Sequence, residues 1–427
     1  MNWQDFHLPE PRLDQCGLVK GKTRKSLLFL LYPFNQMSFK ILALDGGGIR
    51  GIIAARILQQ VEQEIRNQGK GNFLHEYFDL IAGTSTGSIL AGGIAVGKES
   101  DELIKLYKER GKDIFPQQRK DRYQNLPPII KSILNVLSPP KYSHDGIISV
   151  LKDAYKSTRI KDIDKPIILI LAYDTLYRNT TFFTNCHPDL GDRWYDDCYL
   201  WEICTASASA PTFFPPYKLE PINKEKFGDW EFPHIDGGVS ANNPSLAALS
   251  LVMRISQSSV SPTIKQKYKL ENLRLEDISI LSIGTGQTGE PYQYKQISKW
   301  RGFDWAKNLT NIFIEPTSEI ASTICRQIMG GYDSKRYLRL QFDLNETFEP
   351  KPKETYKDPR IILAPEDRKN RFIGEKVSEE IDNTSSEFVQ QLIDTTSAFI
   401  DQGLTYYTRD DSGPQTKKAI ASFITDN

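Results

Sequence analysis

The stretch from Phe78 to Gly93, FDLIAGTSTGSILAGG, constrains this chain more than any other part of its sequence. An apolar run suited to a buried strand leads into Gly83, and small and aliphatic residues suited to a buried helix follow Gly87. A strand that turns at once into a helix requires glycine where side chains would clash, and the residue at the bend lies at a helix N-terminus, which favours negative charge. We interpret Ser85, at this bend, as a candidate nucleophile, with Gly83 and Gly87 forming its nucleophile elbow.

The pattern Gly-x-Ser-x-Gly is a weak signal when it stands alone. The alternative interpretation is a tight turn whose serine only caps the following helix. The strand and helix patterns on either side favour the nucleophile.

The charge and cysteine content of the 427 residues exclude several classes of protein. Lys and Arg together number 54, as do Asp and Glu, so no net charge attracts a nucleic acid polymer, and any membrane contact should be local. The five cysteines are scattered and unpaired in spacing, which argues against a disulfide scaffold and a structural zinc site. No run of 18 apolar residues is present. We expect a cytoplasmic protein.

Two strand-loop-helix units follow one another near the start of the chain. The first has a strand at Phe39 to Leu44, the loop GGGIRG and a helix from Ile52 to Asn67, and the second is the stretch around Ser85. A continuous apolar run from Lys165 to Asp174 is typical of a central strand buried on both faces. These patterns predict an α/β fold with a mostly parallel sheet.

Three further segments carry structural predictions of their own. Ile129 to Leu137 could form a helix that acts as a lid or lipid-facing surface, or that packs over the core edge. The aromatic residues between Trp300 and Phe313 predict a helical cover packed on the core. Tyr337 to Leu344 alternates as a strand, and Glu375 to Ile400 is typical of one or two helices.

A serine hydroxyl needs a base to accept its proton, and Asp236 is the favoured candidate. It ends a short strand and precedes Gly237 and Gly238, a base turn in which a second backbone can approach closely. An ordinary aspartate has a pKa near 3.9, but burial beside a hydroxyl can raise that pKa to a useful value. The alternatives are a histidine base, for which His234 has the best position among five histidines, and an Asp-Gly turn without a catalytic role.

Ester cleavage also requires donors for an oxyanion. The amides of Gly46, Gly47 and Gly48 lie between a strand and a helix, where they can hold negative charge, and Arg50 adds a positive charge nearby. The loop also matches a dinucleotide-binding turn literally. That alternative requires a second strand with an acidic end roughly 20 residues on, where this chain has a hydrophilic helix.

Three blocks stand in order along the chain: DGGGIRG at Asp45 to Gly51, GTSTG at Gly83 to Gly87, and DGG at Asp236 to Gly238. Together with SASAPTFFPP and NNPSLAA, they make the region from Phe39 to Gly286 resemble the patatin-like phospholipases. The resemblance implies a three-layer α/β/α domain with a serine and aspartate dyad, no histidine, and no metal or other cofactor. It implies an acyl-enzyme on Ser85, with Asp236 as the base.

The resemblance implies a set of partners, and its limits, with Met37 as a possible natural start, divide the chain into three parts. We expect a leader over residues 1–36 that is disordered or upstream of the true start, a catalytic domain over 37–286, and a C-terminal extension of strand and helices over 287–427 that packs on it. The implied substrate is a membrane phospholipid or galactolipid, met by peripheral membrane contact. Some bacterial members of the family resemble antiviral effectors that a cyclic nucleotide activates, so one alternative is a phospholipase effector of this kind. The other alternative is a non-catalytic nucleotide-binding module.

Overall fold

The computed structural model describes residues 38–116, 140–287, 292, 294–345, 374–405 and 414–427. These residues all belong to one compact unit. The predicted leader and the predicted helix from Ile129 to Leu137 lie outside them. No helix in the described part of the chain is both long and apolar enough to span a bilayer.

The described residues contain eight strands, all in one sheet. In chain order they are β1 Phe39–Leu44, β2 Leu80–Thr84, β3 Ile167–Asp174, β4 Asn179–Thr184, β5 Tyr217–Leu219, β6 Phe232–Asp236, β7 Ile278–Ile283 and β8 Tyr337–Leu340.

The helices occupy the connections between these strands and the end of the chain. Before β5 they are α1 Gly51–Asn67, α2 Leu74–Tyr77, α3 Thr86–Ala95, α4 Ser100–Ile114, α5 Asp145–Tyr155 and α6 Leu200–Ser207. After β5 they are α7 Lys224–Phe227, α8 Gly238–Ala241, α9 Ser245–Gln257, α10 Pro262–Lys267, α11 Tyr294–Ile297, α12 Gly302–Ile328, α13 Ser386–Gln402 and α14 Thr416–Asp426.

The centre of the sheet is parallel and one side of it is antiparallel. The strand order is β5-β6-β3-β2-β1-β7-β8, with β4 paired to β3. The pairs β3 with β2, β2 with β1, β1 with β7, and β7 with β8 are parallel, whereas β4 and β6 run antiparallel to β3. The predicted α/β class with a mostly parallel central sheet is therefore confirmed.

Alternate residues of the central strands face opposite sides of the sheet, as the period of a strand requires. In β1, Leu42 and Leu44 face one hydrophobic cluster, while Ile41 and Ala43 face another. Helices α1, α3, α4, α5, α6, α13 and α14 cover the first face, and α9 with the end of α12 covers the second. The sheet is thus the middle of three layers.

The two strands that lead to the candidate nucleophile and base meet along β3. Thr84, at the end of β2, pairs with Leu171, and Asp236, at the end of β6, pairs with Ala172, the next residue of β3. Because β4 occupies the other edge of β3 at these positions, β2 and β6 lie end to end on one edge. Segments far apart in sequence therefore end at neighbouring points.

Several element boundaries and one packing prediction differ from the structure. The strand predicted over Tyr337 to Leu344 ends at Leu340, and the first helix within Glu375 to Ile400 begins only at Ser386. The prediction that the aromatic residues ahead of Phe313 pack on the core is wrong for Trp305, which exposes 44% of its surface. An aromatic pattern alone does not distinguish a buried helix face from an exposed one.

Candidate active site

Ser85 sits in a strained turn between β2 and α3. Its φ of 55° and ψ of −125° place it in the left-handed region that side chains rarely adopt. A Cβ on Gly83 would collide with the carbonyl of Gly87, and one on Gly87 with the carbonyl of Leu44. Both glycines predicted for the elbow are thus required sterically by this turn.

The Ser85 hydroxyl donates a hydrogen bond of 2.6 Å to Oδ2 of Asp236, across 151 positions of sequence. The other carboxylate oxygen, Oδ1, accepts the Gly238 amide at 2.7 Å. A Cβ on Gly237 would collide with the Leu171 carbonyl, so the base turn can lie against β3 only with glycine at this position. Both partners are buried.

The electrostatic environment of Asp236 suits proton transfer near neutral pH. Burial raises the pKa of Asp236 to about 6, against the opposing effect of the hydrogen bonds from Ser85 and the Gly238 amide. No ion pair to Asp236 is found among the described residues, so no cation holds it in the charged form. A carboxyl with this pKa is a far better base than an exposed aspartate.

Serines at the end of α6 hold the backbones of both residues. The Ser207 hydroxyl accepts the Ser85 amide at 2.9 Å and donates to the Leu171 carbonyl at 2.6 Å. The carbonyls of Ser207 and Ser209 accept the amides of Gly237 and Asp236 respectively. One short segment therefore positions the nucleophile and the base at the same time.

Ser88, in the first turn of α3, is compatible with this arrangement. It is fully buried, and its hydroxyl donates to the Ser85 carbonyl at 2.6 Å. The hydrogen bond adds a contact inside the first turn of α3 and leaves the side chain of Ser85 untouched.

The three glycines predicted to form an oxyanion site lie between β1 and α1, beside Ser85. A Cβ on Gly46 would approach Cβ of Ser85 to 2.9 Å. The Gly46 amide donates to the Asn242 carbonyl at 3.3 Å, whereas no acceptor in the described part of the chain occupies the amides of Gly47 and Gly48. Gly47 and Gly48 therefore offer free donors and Gly46 does not.

Arg50 follows this loop, but no hydrogen bond joins it to Ser85 or Asp236 within the described residues. Its Nε is buried and has no hydrogen-bond partner there. Burial lowers the pKa of the guanidinium, and the charges of Glu315 and Glu379 oppose that shift. The structure thus places Arg50 in an acidic environment beside the loop.

The C-terminal part of the chain holds the glycine loop at two points. Arg339 of β8 donates to both carboxylate oxygens of Asp45, at 2.9 and 2.6 Å, and both side chains are buried. The Ile381 carbonyl accepts the Ile49 amide at 2.8 Å. Gly48 has a φ of 61°, and a Cβ there would collide with Ile381.

The structure places His234, the alternative base, away from the serine. Its Nε2 contacts the Thr181 hydroxyl at 3.0 Å, and its Nδ1 contacts the Phe232 carbonyl at 3.0 Å. The ring is fully buried in β6, two residues before Asp236. Both ring nitrogens of His234 thus have hydrogen-bond partners inside the antiparallel side of the sheet, and the ring does not contact Ser85.

Sequence reasoning missed Ser207, Asn242 and Arg339. Asn242 donates from its side-chain Nδ2 to the Ser318 hydroxyl of α12 at 3.2 Å, and its backbone carbonyl accepts the Gly46 amide. Small polar residues on a buried helix could have indicated Ser207. A charged residue within an otherwise apolar strand could have indicated that Arg339 has a buried partner.

The fold and this site define an α/β protein with a serine and aspartate pair where β2 and β6 end. The family described as patatin-like phospholipase matches residues 42–249. Patatin-like protein 2 of Oryza sativa subsp. indica is 30% identical over 338 residues, covering 73% of this chain and 78% of that protein. The chain belongs to the patatin-like phospholipase family.

Two other comparisons show the range of similar proteins. Probable inactive patatin-3-Kuras 1 of Solanum tuberosum is 29% identical over 312 residues, covering 70% of this chain and 78% of that protein. Human GIVD cytosolic phospholipase A2 aligns structurally at 10% identity, covering 92% of this chain and 61% of that chain, with a TM-score of 0.39. Because a similar protein is described as inactive, family membership alone does not establish catalysis.

Proposed function

We propose that this protein is a lipid acyl hydrolase that cleaves acyl esters of membrane lipids through Ser85 and Asp236. The observation that carries the proposal is the 2.6 Å hydrogen bond between the Ser85 hydroxyl and a buried aspartate whose pKa is raised to about 6. A serine that serves only as a helix cap does not need a buried carboxylate as its partner.

The reaction proceeds in two steps that use the same pair. Asp236 Oδ2 accepts the hydroxyl proton as Ser85 Oγ attacks the ester carbonyl, and the protonated Asp236 returns that proton to the departing alcohol, leaving an acyl-enzyme. Water then attacks the acyl group with Asp236 as the base, releasing the fatty acid and restoring the Ser85 hydroxyl. In each step Asp236 accepts one proton and then gives it up, so it ends the step as a carboxylate.

The tetrahedral intermediates carry negative charge, which unpaired amides can hold. The free amides of Gly47 and Gly48 and the N-terminus of α3 supply donors and a positive dipole end. Arg50 contributes positive charge nearby without donating directly. The Gly46 amide has another partner, so its part is to let the loop approach Ser85 closely.

Covalent labelling and ester hydrolysis test this proposal together. We expect an alkyl fluorophosphonate to modify Ser85, detected by mass spectrometry of peptides, and expect Ser85→Ala to lose the label and most hydrolysis of a short acyl ester. Ser88→Ala is a matched control, because its hydroxyl lies one helical turn away, and it should still be labelled. A Ser85→Ala protein that hydrolysed the ester at the normal rate would refute the proposal.

The alternative of a nucleotide-binding module receives less support from the loop. The Ile381 carbonyl occupies the Ile49 amide, one of the turn amides that a dinucleotide pyrophosphate would bind. Nucleotide binding without hydrolysis or phosphonate labelling would favour that alternative. Lipid profiling of cells that express the active form or Ser85→Ala would distinguish phospholipid from galactolipid substrates.

A further inference from the structure

An exposed group of aromatic and basic side chains lies at the start of α12. Tyr294 exposes 82% of its surface, Trp305 44% and Tyr292 39%. Lys295, Lys299 and Arg301 are also exposed. We call this group the aromatic-basic patch; it consists of Tyr292, Tyr294, Lys295, Lys299, Trp300, Arg301 and Trp305.

Three of the four rings of the patch, those of Tyr292, Trp300 and Trp305, form a connected apolar cluster. Trp300 packs edge to face against Tyr292, with ring centroids 5.0 Å apart, and against Trp305 at 5.1 Å. The Asp304 carboxylate accepts the Arg301 amide at 3.0 Å and so caps the first turn of α12. These contacts keep the aromatic side chains together at the protein surface.

The patch is locally basic in a chain that has no net charge. No carboxylate pairs with the side chains of Lys295, Lys299 or Arg301 among the described residues. From Tyr292 to Trp305 the sequence contains these three cations and one acidic residue, Asp304, whose carboxylate caps α12. The patch therefore carries local positive charge that a partner can neutralise.

This composition matches an anionic lipid surface. Trp and Tyr favour the boundary between head groups and acyl chains because their rings are apolar and their N–H or O–H remains in contact with polar groups. Lys and Arg beside them are attracted to negatively charged lipids. A second copy of the chain fits less well, because a two-fold contact through the patch would bring its cations against themselves.

The helix that begins at the patch also contacts the candidate active site. Ile314 of α12 lies 3.7 Å from the position of a Cβ on Gly238, and Ser318 receives the hydrogen bond from Asn242. Trp305 precedes Ile314 by nine residues, which is about 14 Å along a helix axis. The patch and the site are thus joined by one helix, which contains Pro316 between Ile314 and Ser318.

We propose that the aromatic-basic patch is the surface through which this protein docks on anionic phospholipid bilayers. Its purpose rests on the proposed function, because docking would bring lipid esters to Ser85, but binding can be measured without catalysis. Because the chain as a whole is neutral, we expect binding through the patch to depend on the charge of the bilayer.

Co-sedimentation with vesicles tests the docking surface in the full chain carrying Ser85→Ala, which removes hydrolysis from the measurement. Vesicles contain phosphatidylcholine alone or with about one third phosphatidylserine. We expect binding to the anionic vesicles that weakens as salt is raised. Replacing Lys295, Lys299 and Arg301 with Gln should weaken it by about fivefold per cation, on the order of 100-fold together.

Two matched controls remove the same charge and the same kind of aromatic side chain as the patch variants, but at other places on the surface. Lys105, Lys108 and Lys112 lie in α4, and replacing them with Gln should leave vesicle binding within about threefold of the parent. Trp305→Ser should weaken binding, whereas Trp230→Ser, which removes a tryptophan 52% exposed elsewhere, should not.

Three results would overturn the docking proposal. One is equal binding of neutral and anionic vesicles, and another is equal loss from the patch and control variants. The third is a change in oligomeric state measured by sedimentation velocity with vesicle binding retained, since this would assign the patch to a second copy. Failure of the proposed function shows separately, as unchanged hydrolysis of a soluble ester by Ser85→Ala.

Discussion

Asp45 and Asp236 occupy similar places in the sheet and have different surroundings. Each lies at the end of a strand and is buried, and Asp45 precedes three glycines where Asp236 precedes two. Asp45 receives two hydrogen bonds from Arg339, whereas Asp236 receives one from the Ser85 hydroxyl and one from an amide. The same short sequence therefore gives an anchor where a cation faces it and a candidate base where a hydroxyl does.

The two carboxyl groups also differ in what opposes their burial. Burial raises the pKa of Asp45, but the charge and hydrogen bonds of Arg339 oppose that shift. For Asp236 only a hydroxyl and an amide oppose it, and its pKa reaches about 6. Asp236 thus has no cation beside it and faces the serine hydroxyl, whereas the ion pair of Asp45 with Arg339 fixes the loop.

The largest expected effect is on turnover. Asp236→Asn should lower kcat on a soluble acyl ester by about 10³- to 10⁴-fold, because an amide cannot accept the Ser85 proton. Asp45→Asn should act mainly on folding, since it leaves Arg339 buried with a weaker partner. Steady-state kinetics and circular dichroism of both variants check these two expectations. An Asp236→Asn protein that retained a tenth of the parent kcat would contradict the role of Asp236 as the base.

The second effect concerns the anchor. Arg339→Met should lower the free energy of unfolding by about 3–5 kcal/mol, because it leaves the Asp45 carboxylate buried without its cation. The double variant Asp45→Asn with Arg339→Met should recover part of that loss, because no unpaired charge remains. Urea denaturation of the parent, the two single variants and the double variant measures these effects, and simple additivity in the double variant would show that the pair does not interact as described.

The third effect is a pH dependence of stability at the candidate base. Because the folded pKa of Asp236 is raised to about 6, its contribution is fully present below about pH 4 and is lost as pH rises through 6. Asp236→Asn should therefore stabilise the fold by up to about 3 kcal/mol at pH 8 and by little at pH 4. Thermal and urea unfolding at both pH values check the sign, and equal differences would contradict the raised pKa.

The same pKa sets a prediction for the parent enzyme. The rate of ester hydrolysis should rise as pH increases through about 6 and level off above it, as Asp236 loses its proton. A profile measured with a neutral soluble ester avoids titration of the substrate. A pH profile with its midpoint near pH 4 would contradict the raised pKa of Asp236, because an exposed carboxyl titrates in that range.

The smallest effect tests how firmly the glycine loop is held. Gly48 and Gly69 both have positive φ values, of 61° and 66°, but only Gly48 touches another segment, at Ile381. Gly69→Ala should cost about 1 kcal/mol of stability from backbone strain, and Gly48→Ala at least about 1 kcal/mol more. Equal losses in denaturation experiments would show that Ile381 does not constrain the loop.

The parts of the molecule that could be predicted from sequence are those specified locally. The turn at Ser85 follows from two glycines beside a strand and a helix, and the position of Asp236 follows from the end of a short strand. Arg339 lies 294 positions from Asp45, and no local pattern joins them. The exposure of Trp305 likewise depends on what packs on α12.

Because β2 and β6 meet end to end along β3, their register with β3 sets the distance between the Ser85 hydroxyl and the Asp236 carboxylate. Displacing either strand by one residue along β3 would separate hydroxyl and carboxylate by about 3.3 Å and turn one of them to the opposite face of the sheet. Because buried side chains such as Ile170 help to fix the register of the strands beside β3, we expect substitutions there to influence turnover. An engineer seeking a faster or slower variant could work on this strand without altering Ser85, Asp236 or the glycine loop.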